Sequence, residues 1–95
     1  MDISKALRQI RENTALNQKE FAARTGLTQT YVSLIENGKR VPSLEVIGQY
    51  ESIGKVPLAV IMWKSLTEKD VQKNKLKVFK ELKPVVDNLI NQMFN

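Results

Sequence analysis

An all-α fold is predicted for this chain, and three observations lead to it. Apolar residues recur at steps of three and four along successive short segments, the period of a helix with one buried face. Cap and stop residues punctuate those segments, with Asn17, Thr28 and Ser43 ahead of them and Gly26, Gly38 and Gly54 behind. Past residue 66 the apolar pattern continues as a heptad-like seam of Phe79, Leu82, Val86, Leu89 and Met93. The expected architecture is five helices in a domain at 1–66, followed by an added C-terminal helical segment at 67–95. With 95 residues, a single domain of this size buries about two-thirds of the surface of its extended chain. Such a core is often completed by dimerisation.

The elements follow in order. Ile3, Ala6, Leu7 and Ile10 share one face of a first helix at 3–13, with Lys5, Arg8, Arg11 and Glu12 elsewhere. Asn17 and Glu20 have capping-box spacing for a second helix at about 18–24, with Phe21 and Ala22 facing inward. Gly26 sits where a left-handed turn residue is needed. Thr28 caps a third helix at 29–37, with Val32 and Ile35 buried. Lys39, Arg40, Val41 and Pro42 form a basic loop. Ser43 caps a fourth helix reaching about 52, with Leu44, Ile47 and Tyr50 as inward candidates. Pro57 opens a fifth, whose Leu58, Val60, Ile61, Met62 and Trp63 demand burial in the core or against a second subunit. Thr67 to Asp70 reads as a further helix start. Pro84 predicts a kink there or a division of the tail into two helices.

Composition narrows the chemistry. Cysteine and histidine are both absent, so no thiol nucleophile, disulfide, Cys/His zinc cluster or imidazole base can be built. The carboxylates are scattered, and there is no phosphate loop or nucleophile–base pair. An enzyme is not expected, nor a metal, a cofactor or a small-molecule ligand. No run of about 18 apolar residues suggests a membrane span, and the first residues lack the apolar stretch of a secretory signal. A net charge of +5 suits a polyanionic partner.

The informative stretch runs from Gln18 to Gly38. A short helix, a glycine turn and a second short helix would pack at a steep angle held by Ala22, Gly26, Leu27, Val32 and Ile35. The second helix then projects Gln29, Thr30, Ser33 and Leu34 outward. A helix end carrying Gln and Thr can enter a major groove and meet base edges.

Residues 3–66 resemble the lambda-repressor-like helix-turn-helix family, also called the XRE or Cro family. The resemblance rests on LNQKEFA at 16–22, TGLTQTYVSLIENGK at 25–39 and PSLE at 42–45. It implies a five-helix domain that binds double-stranded DNA, usually as a homodimer on a roughly two-fold operator, in a cytoplasmic protein of bacterial or phage origin that is nucleoid-associated when bound. Matched positions imply roles. Gln29 would read adenine; Gln18 would grip phosphate and brace Gln29. Thr28, Thr30, Tyr31 and Ser33 join the contact surface, and Leu34 would touch a thymine methyl. Asn37 and Lys39 match phosphate contacts, and Arg40 would meet phosphate or the neighbouring groove. Arg11 and Glu36 match a structural ion pair between the first and third helices. Glu51 and Gly54 depart from the family, where Ala and Leu are usual. A transcriptional regulator, in particular a repressor, is the leading expectation. An antitoxin-like or adaptor protein acting through protein contact is the alternative, favoured by the apolar fifth helix and the C-terminal seam. The 67–95 segment is expected to dimerise or to pack on the domain.

Overall fold

The computed structural model describes residues 1–94, and every regular element among them is helical. The helices are α1 (Ile3–Asn13), α2 (Gln18–Thr25), α3 (Gln29–Glu36), α4 (Leu44–Gly54), α5 (Leu58–Ser65) and α6 (Leu76–Phe94). Two single 3-10 turns, Glu68–Asp70 and Lys73–Lys75, link α5 to α6.

α1 is the hub of the domain and packs on α3, α4 and α5, while α2 packs on α3. Its inward face is Ala6, Leu7 and Ile10, as the three-and-four spacing predicts. These meet Phe21 and Ala22 of α2, Val32 and Ile35 of α3, Val46, Ile47 and Tyr50 of α4, and Val60 and Ile61 of α5 in one core. The rings of Phe21 and Tyr50 lie 4.4 Å apart at its centre. Among the described residues, no buried side-chain nitrogen or oxygen lacks a hydrogen-bond partner.

α4 corrects two expectations. It continues to Gly54, and Leu44 is 78% exposed, with Val46 buried instead. At about 100° per residue, Leu44 lies roughly 110° round the helix from the middle of the Val46–Ile47–Tyr50 face. The two departures from the family also acquire physical reasons here. A Cβ at Gly54 would overlap Cγ2 of Ile10, so α1 and α4 approach too closely for any side chain. The left-handed stop falls one residue later than the glycine, at Lys55 (φ 54°). Glu51 Oε2 accepts the Leu58 amide at 2.7 Å. It caps α5, whose own N-cap residue, Pro57, supplies no side-chain cap.

α5 buries Ile61 fully and Val60 nearly so, leaves Met62 and Trp63 half-buried, and leaves Leu58 41% exposed. Part of its remaining apolar surface is covered by α6. The Trp63 indole N–H donates to Asp87 Oδ1 at 2.8 Å, and its ring faces Phe79 at 6.4 Å. The Lys83 ammonium sits 5.0 Å from the Trp63 ring centre and 3.3 Å from Asp87. Ile90 and Phe94 reach the main core. The chain start is tied to the same region. The Asp2 amide donates to the Ser65 carbonyl at 2.7 Å, and the terminal ammonium meets Asp70 at 2.8 Å. That ammonium, with the Thr67 amide, holds the Asp70 carboxyl below its ordinary pKa.

Thr67 does open an element with a reciprocal Asp70 cap, but the element is one 3-10 turn rather than a long helix. α6 runs unbroken through Pro84 as one helix. The proline removes the amide that would bond the Lys80 carbonyl. Both residues are exposed, so water can satisfy that carbonyl. The heptad-like seam does not act as one surface. Phe79 and Val86 turn toward the body, whereas Leu82, Leu89 and Met93 face solvent. No helix among the described residues is long and apolar enough to cross a membrane.

Candidate nucleic-acid interface

The geometry of α2 and α3 is set by their caps. Asn17 Oδ1 accepts the Glu20 amide at 2.8 Å, and Glu20 Oε1 accepts the Asn17 amide at 3.0 Å. This closes the capping box that the spacing predicts and starts α2 at Gln18. Gly26 adopts φ 76°, the left-handed turn conformation. A Cβ there would meet nothing within 4 Å, so the requirement is conformational rather than steric. Thr28 Oγ1 then accepts the Tyr31 amide at 3.1 Å and starts α3 at Gln29.

The consequence is a short helix with two different sides. Val32 and Ile35 are fully buried, and Glu36 nearly so. Gln29 and Thr30 are exposed at the N-terminal end, and Ser33 and Leu34 are half-buried one turn on. Gln18, Gln29, Thr30, Ser33 and Leu34 line one shallow open depression. Five of the ten positions predicted to contact DNA are thus brought together.

The other five surround α3 differently. Thr28 spends a lone pair on capping, and its hydroxyl remains at the exposed helix start. Asn37 donates to Ser33 Oγ at 3.2 Å, which orders its amide at the helix end. Gly38 takes φ 73°, and the amides of Lys39 and Arg40 both donate to the Leu34 carbonyl, at 2.9 and 3.2 Å. The basic loop is thereby pinned to α3. Lys39 and Arg40 are exposed, and the Arg40 guanidinium lies 5.5 Å from the centre of the Tyr31 ring. Tyr31 is therefore half-covered, with its ring engaged by the loop.

Beneath this surface lies the Arg11–Glu36 pair, and it joins α1 to α3. Arg11 Nε donates to both Glu36 oxygens at 3.0 and 2.9 Å, and Nη2 donates to Oε1 at 2.9 Å. Arg11 Nη1 donates to the Leu16 carbonyl at 2.8 Å, fastening the turn ahead of α2. The bond to Glu36 raises the Arg11 pKa above an already high value, against the opposing effect of burial.

Glu36 has two further partners beyond the expected arginine. The Tyr50 hydroxyl donates to Oε2 at 2.8 Å, and Gln18 Nε2 donates to Oε1 at 3.3 Å. Burial first, and then that bond to a carboxylate, push the Tyr50 hydroxyl pKa far up, so it stays a donor. A signal existed for Tyr50: an inward tyrosine must find a buried acceptor. No sequence signal marks the Gln18 link, because it spans the turn from one helix to the next. The amide of Gln18 is thus oriented by a buried carboxylate, leaving its carbonyl oxygen and second N–H for the surface. Among the described residues, no group of three or more acidic side chains could hold a metal ion.

No curated protein matches the chain. A family model described as helix-turn-helix matches residues 7–61, more than half of the chain, and runs from within α1 to the middle of α5. Its two central helices are α2 and α3, the pair whose exposed surface carries Gln18 and Gln29. The chain belongs to the lambda-repressor-like, XRE-type helix-turn-helix family of DNA-binding regulators.

Proposed function

We propose that this protein is a sequence-specific transcriptional repressor of the cytoplasm that binds a two-fold operator as a homodimer, with α3 in the major groove. The observation that carries the reading is the shared depression of Gln18, Gln29, Thr30, Ser33 and Leu34 at the exposed end of α3. A major groove about 12 Å wide admits a helix of this kind. Gln29 then offers one acceptor and one donor to adenine N6 and N7, and Leu34 meets a thymine methyl. Thr30 and Ser33 bond base edges or the adjoining backbone.

Phosphate contacts set the register. Gln18 presents its second N–H beside the backbone amides of the α2 N-terminus, where the helix dipole favours an anion. Thr28 at the start of α3 and Asn37, Lys39 and Arg40 at its end face the backbone on either side, with Tyr31 supporting Arg40 through its ring. The +5 net charge adds a non-specific attraction that weakens with salt.

A selection of bound sequences from random DNA identifies the site. On that site Gln29→Ala should cost about 1–3 kcal/mol while leaving non-specific binding intact. Equal losses on both DNAs would remove Gln29 from base reading. Lys39→Ala should weaken all sequences alike and reduce the slope of affinity against salt by about one. An unchanged slope would exclude the phosphate contact.

A further inference from the structure

We propose that the solvent face of α6 is the homodimer interface, seating the α6 of a second copy antiparallel about a two-fold axis between residues 85 and 86. This rests on the homodimer reading above and names the surface that makes it. At about 100° per residue, the apolar residues of α6 cover about half its circumference. One half of that arc packs on the body through Phe79, Val86, Ile90 and Phe94. The other half is Val78, Leu82, Val85, Leu89 and Met93, which are 62, 48, 58, 53 and 73% exposed. Single exposed apolar residues need no explanation, but a continuous stripe along a helix about 28 Å long does.

Two features identify the occupant as another copy of the same helix. The first is register. Val78 and Met93, and Leu82 and Leu89, are placed symmetrically about the midpoint between 85 and 86. A reversed copy therefore brings Leu82 of one chain against Leu89 of the other, twice, with the two Val85 side chains adjoining across the axis, offset along it by about 1.5 Å. That is the self-complementarity an isologous contact requires. The second is charge. Lys73, Lys75, Lys77, Lys80 and Lys83 precede Pro84, accompanied by Glu81, whereas Asp87 is the sole charged residue from 84 to 94. Parallel pairing would set one lysine-rich end against the other. Antiparallel pairing sets each against an end that has no base and one carboxylate, and opposes the two helix dipoles.

The absence of cysteine makes the geometry directly testable. Under mild oxidation Val85→Cys should cross-link to itself. Leu82→Cys and Leu89→Cys should cross-link when mixed and far less when alone. Efficient self-linking of each of those two variants would mean parallel helices and overturn the arrangement. Sedimentation velocity of the full chain should show a dimer. The exposed double substitution Leu82→Lys/Leu89→Lys should raise its dissociation constant about 100-fold or more with unchanged far-UV circular dichroism. A double variant that remains a dimer overturns the α6 interface and leaves the homodimer reading standing. A wild-type chain that is monomeric, both free and on a two-fold operator, overturns the two together.

Discussion

Replacing Arg11 by methionine tests whether the ion pair under α3 holds the fold. The magnitude depends on burial. Exposed pairs contribute about 0.2–1 kcal/mol, whereas removing one partner of a buried pair costs about 3–5 kcal/mol. The Arg11 and Glu36 side chains are 8% and 0% exposed, which places them in the second class. A methionine side chain would fill the space of the arginine stem but withdraw every N–H that Arg11 directs at Glu36 and at the Leu16 carbonyl. Glu36 would keep Tyr50 and Gln18 as donors and lose its counter-charge. A domain of this kind has about 5–15 kcal/mol in total, so about a fifth or more of its stability should go. At about 4–8 °C per kcal/mol, the midpoint falls on the order of 20 °C. Urea and thermal unfolding followed by circular dichroism measure this. The triple variant Arg11→Met/Glu36→Leu/Tyr50→Phe should recover most of the loss, because apolar replacement of a whole buried cluster is often neutral. A loss below about 1 kcal/mol for Arg11→Met would refute the buried-pair argument.

Tyr50 predicts a pH dependence of definite sign. Its folded pKa lies above the ordinary value of 10.0, so its contribution is complete below pH 10.0 and falls as pH rises beyond it, where the unfolded chain ionises first. Denaturant midpoints measured through the alkaline range should fall for the wild type and flatten for Tyr50→Phe; parallel curves would contradict this. Gly54→Ala should destabilise by about 1–3 kcal/mol through crowding of Ile10, outweighing the gain of about 1 kcal/mol in helix propensity. A more stable variant in the same unfolding assay would mean that α1 and α4 can separate without cost.

Local rules made much of the domain legible in the chain. Asn17 with Glu20, Thr28, Ser43, Gly26 and Gly38 act within three or four residues, and each sits where its spacing requires. Phe21, Val32 and Ile35 are buried for the same reason, since helical period follows directly from residue order. Leu44 departs from expectation because an apolar residue at a helix start can face either way, and the approach of α4 to α1 decides which. Glu51 and Gly54 are departures without a visible cause until α5 and Ile10 stand beside them.

The order of residues alone thus determined the helices, the turn between α2 and α3, and the exposed run that opens at Gln29. Those features are set by capping and periodicity, which act over a few residues. Tertiary structure decided what lies beneath and beyond them. It joined Gln18 and Tyr50 to Glu36 across 18 and 14 residues. It also divided the apolar seam of α6 between the body and solvent. Both outcomes depend on how whole helices dock, and a single helix carries no record of the angle at which its neighbour will arrive.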